Sequence, residues 1–124
     1  MPDNGRPRVL IVDDDEEFRL VLETMLGRKY DVSSLENGDG LMEELSTARP
    51  DVLILDVMMP GKSGFDLCRE VRAQPALANL PILFLTASST DADFVRNVEA
   101  GGSGYLTKPV TQKTLLARVG ELLP

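Results

Sequence analysis

The chain has 124 residues, of which 43% are hydrophobic and 27% charged, with a formal net charge of −7 and no histidine. That length and balance fit one globular domain able to fold without disulfide or structural metal, and the acidic excess argues against non-specific binding to nucleic acid or anionic membranes. Without histidine there is no Ser-His-Asp or Cys-His catalysis, no His-ligated metal and no phosphohistidine of the chain's own.

The single cysteine, Cys68, cannot form an internal disulfide, which points to a reducing, cytoplasmic setting and to an inert, partly buried thiol. No apolar run approaches the roughly 20 residues of a membrane-spanning helix. Residues 1–7 lack the apolar core of a signal peptide and read as a flexible lead-in, with the domain proper over residues 8–124. Pro124 directly follows the last predicted helix, so a further output domain is not expected within these residues.

In chain order, the first predicted strand is Val9-Leu10-Ile11-Val12, an apolar run without alternation. A helix over residues 16–26 follows, with Phe18, Val21, Leu22 and Met25 on one face and Leu26 beside it. Asp15 is placed to cap it and Gly27 to end it. A weaker strand is predicted over 30–34, then a helix after Asn37 that carries Leu41 and Leu45 and stops before Pro50. Val52-Leu53-Ile54-Leu55 is the second strong strand. Ser63 can cap a helix over 64–73, with Phe65, Cys68 and Val71 inward. Ile82-Leu83-Phe84-Leu85 is the third strong strand. A helix over 92–100 carries Phe94, Val95 and Val98, and starts at Thr90 or Asp91. A weak strand over 104–107 precedes a helix over 112–123 that Thr111 can cap. Continuous apolar strands are covered on both faces. The pattern is therefore (βα)5, an α/β fold with a doubly wound, five-stranded parallel sheet.

Ligands of such sheets bind beyond the carboxyl ends of the strands. Those positions hold Asp13, Asp14 and Asp15 after the first run, Asp56 after the second, Thr86 after the third, and Lys108 with Pro109 after the last strand. Clustered carboxylates repel, and a hard divalent cation relieves that repulsion through oxygen ligands. Carboxylates, a cation, a hydroxyl and an ammonium together suit a transferring phosphoryl group, with a carboxylate as nucleophile. Each feature alone is common. Their concurrence at four strand ends is specific.

The strings Val12-Asp13-Asp14-Asp15, Leu55-Asp56-Val57-Met58-Met59-Pro60-Gly61, Leu85-Thr86-Ala87 and Tyr105-Leu106-Thr107-Lys108-Pro109 resemble those of two-component response-regulator receiver domains. They occur in order, at the family's spacing, over nearly the whole chain. The resemblance implies a flavodoxin-like fold with strand order 2-1-3-4-5. It implies Asp56 as phosphoacceptor, and Mg²⁺ (or Mn²⁺) held by Asp13, Asp14, Asp56 and the backbone carbonyl of Met58. Thr86, the backbone N–H of Ala87 and Lys108 would contact the phosphoryl group. Thr86 and Tyr105 would form the switch, acting on the surface of the fourth predicted helix, the fifth strand and the last helix. Lys108–Pro109 would be cis. Implied partners are a histidine kinase or histidine-phosphotransfer protein, and an output protein or fused output domain. Neither nucleic acid nor membrane is an implied direct partner. The domain would be a signalling module whose only catalysis is its own phosphorylation and dephosphorylation.

Asp15 reads as a helix cap and not a ligand. Met58, with Ser88 in partial compensation, is expected to slow dephosphorylation, because a thioether holds a hydrolytic water poorly; the alternative is a Met58 turned to solvent, with water entering freely. Before the last strand the family often has acids that pair with an Arg across a dimer. Here Gly101-Gly102-Ser103-Gly104 stands there, and only Arg118 matches, so that dimer is not expected. The three glycines predict a flexible loop. Two other readings exist. An aspartate-nucleophile phosphatase acting on small molecules usually has a second Asp two residues after the nucleophile, where this chain has Met58. A flavodoxin-like cofactor binder would need a phosphate-cradling loop where this chain has three acids.

Overall fold

The computed structural model describes residues 5–87 and 100–123. In order they form β1 (Arg8–Val12), α1 (Glu16–Leu26), β2 (Asp31–Leu35), α2 (Leu41–Ala48), β3 (Val52–Asp56), α3 (Gly64–Arg72), a 3₁₀ turn (Pro75–Leu77), β4 (Ile82–Thr86), β5 (Gly104–Thr107) and α4 (Gln112–Leu122). All strand pairs are parallel and the order is β2-β1-β3-β4-β5. The helix predicted over 92–100 lies outside the described residues, except for Ala100, and so do Ser88, Phe94, Val95 and Val98.

The unbroken apolar runs are explained by a sheet with two covered faces. Successive side chains of a strand point to opposite sides. Leu10, Val12, Leu53, Leu55, Ile82 and Phe84 join Leu41, Leu45, Phe65, Leu67, Cys68 and Val71 in one core, under α2 and α3. Val9, Ile11, Val52, Ile54, Leu83 and Leu85 join Leu22, Leu26, Leu115 and Val119 in the other, under α1 and α4. Cys68 is fully buried and its Sγ–H donates to the Ala100 carbonyl at 3.1 Å. Burial pushes its thiol pKa up, so it stays a neutral thiol.

Four local expectations change. β2 begins one residue later than predicted, because the Tyr30 N–H is spent on the Leu26 carbonyl in the turn after α1. On α1, Val21 faces outward and is 44% exposed; Leu22 and Leu26 make the buried stripe. Residues 6 and 7 are tied to the fold: the Arg6 guanidinium donates to the carbonyls of Gly27 and Tyr30, and the Asp31 N–H donates to the Pro7 carbonyl. The glycine-rich segment before β5 is laced to its neighbours. Ser103 N–H donates to the Ile82 carbonyl at 2.7 Å, and its Oγ accepts from the Ile82 N–H at 3.0 Å. Arg72 Nε donates to the Gly101 carbonyl at 2.9 Å.

The start of α3 positions the end of β3. Ser63 and Asp66 form a reciprocal capping box, which satisfies two N–H groups of the first turn. The next residue, Gly64, sits against the strand end, where a Cβ would lie 2.4 Å from the Asp56 carbonyl oxygen. That neighbour is backbone and cannot swing aside. Gly64→Ala should therefore cost about 1–3 kcal/mol of stability in urea unfolding. A loss below about 0.5 kcal/mol, inside the range of ordinary surface changes, would show that the loop yields freely.

Candidate functional site

The carboxyl edge of the sheet gathers side chains from β1, β3, β4 and β5. Asp13 leaves β1 with its N–H still donating to Leu35, and its side chain is fully buried. Asp14, next along the chain, is exposed. Asp15 turns the chain into α1: its Oδ1 accepts from the N–H groups of Glu17 and Phe18, at 3.0 and 3.3 Å. Asp13 Oδ1 accepts from the Asp15 N–H at 2.9 Å, and Arg19 Nη1 donates to the Asp13 carbonyl at 2.6 Å. The β1–α1 turn is thus tied at both ends.

Asp56 is the last residue of β3, paired in register with Leu85, and only 3% exposed. Its Oδ1 accepts from the Met58 N–H at 3.2 Å. Thr86 ends β4, buried, and its carbonyl accepts the Lys108 N–H at 2.7 Å. Ala87, next in the chain, is exposed, and Tyr105 on β5 is half-buried against the α2/α3-side core. The Lys108–Pro109 peptide bond is cis and leads to α4, capped by Thr111. From there the Lys108 ammonium reaches back across the edge. Its Nζ lies 3.1 Å from Asp13 Oδ2, 3.5 Å from Asp56 Oδ1 and 4.3 Å from the centre of the Phe18 ring.

Asp13, Asp14 and Asp56 each offer a carboxylate oxygen, and the three oxygens lie within 4.8 Å of one another. This donor set fits Mg²⁺, a hard cation that takes oxygen ligands and commonly one or two carboxylates. The repulsion such an ion would relieve is visible in Asp56. Burial first, and then the charge of Asp13, push its pKa from 3.8 up to about 6, against the opposing pull of Lys108 and the Met58 N–H.

The structure brings Asp13, Asp14, Asp56 and Lys108 into one cluster, with Thr86 at the adjacent strand end. Met58 is 71% exposed, while its neighbour Met59 is buried at 9%. Two contributors went unread in the sequence. Phe18 carries a helical-core signal that hides its place beneath Lys108. Arg19 sits among the polar residues of α1 with no local sign that it grips the Asp13 carbonyl.

A family model described as the response regulator receiver domain matches residues 9–120. The transcriptional regulatory protein GltR of Pseudomonas aeruginosa is 45% identical over 99% of this chain and 51% of its own length. AfsQ1 of Streptomyces coelicolor, also a transcriptional regulatory protein, is 38% identical over 94% of this chain and 51% of its own length. The chain thus spans about half the length of these curated relatives. Among solved structures, the Vibrio cholerae chemotaxis protein CheY4 superposes with a TM-score of 0.90 at 32% identity, covering 95% of this chain and 99% of that one. The BeF3-activated N-terminal receiver domain of Klebsiella pneumoniae RstA gives 0.81 at 33% identity, covering 92% and 96%.

The raised Asp56 pKa has a consequence for stability without metal. Between pH 3.8 and about 6 the folded chain holds the Asp56 proton more tightly than the unfolded chain, so stability falls as pH rises through that window. Asn resembles the protonated carboxyl and escapes this cost. In EDTA at pH 7.5, Asp56→Asn should be more stable than wild type by on the order of 1–3 kcal/mol in urea unfolding. The gain should shrink toward pH 4. A gain independent of pH would contradict the assigned cause.

Proposed function

Because the chain belongs to the response regulator receiver domain family, we propose that Asp56 accepts a phosphoryl group from the phosphohistidine of a histidine kinase or histidine-phosphotransfer protein. The observation that carries this reading is a nearly buried carboxylate at a central strand end, with Lys108 3.5 Å away and two further acids at its side. The function proposed is two-component signalling, in a domain spanning residues 8–124.

In the proposed step an oxygen of Asp56 forms a bond to phosphorus as the P–N bond breaks, and the electron pair leaves with the donor imidazole. Such transfer depends on placement and charge balance more than on covalent help from the protein. Asp13, Asp14, Asp56 and the Met58 carbonyl would hold Mg²⁺, which when bound supplies positive charge to the carboxylates and the phosphoryl oxygens. Lys108 moves from carboxylate to phosphoryl oxygen, a charge-assisted hydrogen bond. Thr86 and the Ala87 N–H take up other phosphoryl oxygens. The Thr86 shift is coupled in this reading to Tyr105, biasing the surface of β5, α4 and the segment before Ala100. Output then passes to a partner protein or a fused domain, in keeping with relatives about twice as long. Self-catalysed phosphorylation and dephosphorylation belong to the same proposal, with Met58 and Ser88 as tuning positions. The exposure of Met58 favours the alternative to slowed dephosphorylation, in which water reaches the phosphoryl group freely.

With Mg²⁺ and acetyl phosphate, intact mass should show one phosphoryl adduct on wild type and none on Asp56→Asn. A full adduct on the variant would sink the assignment. Asp14 and Asp15 should separate by readout. Asp14→Ala should weaken Mg²⁺ binding in titration calorimetry, whereas Asp15→Ala should keep that affinity and lower stability by about 0.5–2 kcal/mol through loss of the cap. Equal Mg²⁺ loss in both would contradict the division of labour.

A further inference from the structure

Lys108 is held from three sides, and the three are not equivalent. Two are carboxylates, Asp13 Oδ2 at 3.1 Å and Asp56 Oδ1 at 3.5 Å. The third is the face of Phe18, whose ring centre lies 4.3 Å from Nζ. An ammonium has three N–H donors and no acceptor. The carboxylates engage those donors, and phosphoryl transfer requires at least one to be redirected. An aromatic face attracts the charge through its quadrupole and occupies no donor. Among the contacts described for Lys108, the ring contact is thus one that need not be broken for its hydrogen bonds to be exchanged.

We infer that Phe18 is a positioning residue for Lys108, holding the ammonium beside Asp56 while its hydrogen bonds pass from carboxylate to phosphoryl oxygen. The inference rests on the phosphoacceptor reading of Asp56. The ring is itself placed by local structure. The Asp15 side chain accepts the Phe18 N–H and sets the first turn of α1. Phe18 then packs against the core shared by α1 and α4, one turn before the buried Leu22. The third acid of the Asp13-Asp14-Asp15 row thus serves the site at one remove, through the ring it orients.

The test compares wild type, F18L and F18Y, each with Lys108 and with K108A, in Mg²⁺ and acetyl phosphate with intact mass as readout. Leu keeps apolar bulk and loses the ring; Tyr keeps the ring. F18L should slow phosphorylation about three- to ten-fold, the range expected for a partly exposed cation–π contact. F18Y should stay within about two-fold of wild type by the same measure. In the K108A background F18L should cause no further loss, because the two residues act as one unit. An equal loss from F18L in both backgrounds would make Phe18 merely structural and overturn the inference, as would F18Y as slow as F18L or F18L as fast as wild type. A readout free of chemistry accompanies the rates: in metal-free protein, the Lys108 CεH₂ protons should be shifted upfield by the ring in wild type and F18Y, and not in F18L. Unshifted protons in wild type would overturn the contact itself. A wild type that takes no adduct, or an Asp56→Asn variant that does, would overturn the underlying phosphoacceptor reading, whatever the Phe18 variants show.

Discussion

One ammonium balances two buried carboxylates at the carboxyl edge of this sheet. Asp13 is fully buried and Asp56 nearly so, and Lys108 lies within 3.5 Å of both. Removing carboxylates from water is costly, and like charges side by side add to that cost. Lys108 offsets only part of it, which is why the Asp56 pKa remains pushed up to about 6. The site is therefore a place of unmet demand for positive charge, and that demand makes it receptive to a divalent cation. A loosely arranged surface cluster would be satisfied by water and salt, and would impose no such demand.

The scaffold keeps this poorly balanced cluster in place by spending its stability elsewhere. Two apolar cores, one on each face of the sheet, enclose the apolar side chains of β1, β3 and β4. Burial of that extent contributes on the order of 1.5–3 kcal/mol for each large side chain. The edge itself is pinned by backbone contacts. Val57 and Lys108 donate to the carbonyls of Leu85 and Thr86, and Asp13 donates to Leu35. Arg19 and the Asp15 cap hold the β1–α1 turn, while the capping box and Gly64 hold the start of α3 against Asp56. Strained electrostatics at the strand ends thus sit on rigid elements, the usual requirement for a precise site.

Membership of the receiver family gives the cluster a biological setting, and the relatives show how such a domain is used. The chain covers about half of GltR and AfsQ1, both transcriptional regulatory proteins, and nearly all of CheY4, a chemotaxis protein. One fold therefore occurs in proteins of different named roles, as expected when function lies in sites and surfaces carried by a shared scaffold. Beside β5 in this chain, the glycine-rich segment is tied to β4 and α3 through Ile82 and Arg72.

The sequence by itself determined the fold class, the strand order through resemblance, and most of the acidic site. This was possible because parallel strands with two buried faces must read as unbroken apolar runs, and whatever follows each run must emerge at the same edge. Asp13, Asp56, Thr86 and Lys108 were legible for that reason, and Asp15, Ser63 and Thr111 were legible as caps because capping is a local interaction. Other features depended on contacts between residues distant in the chain. Val21 and Leu22 satisfy the same helical period, and only the direction in which α1 docks turns Val21 outward. Three glycines predict a loose loop, until Ile82 and Arg72 supply partners from other elements. Phe18 reads as core because a ring on a helix face is usually core. Only the tertiary path of Lys108, arriving from β5 some ninety residues later, sets a cation upon it. Period and capping are short-range properties written along the chain, whereas which charge meets which ring is decided by packing.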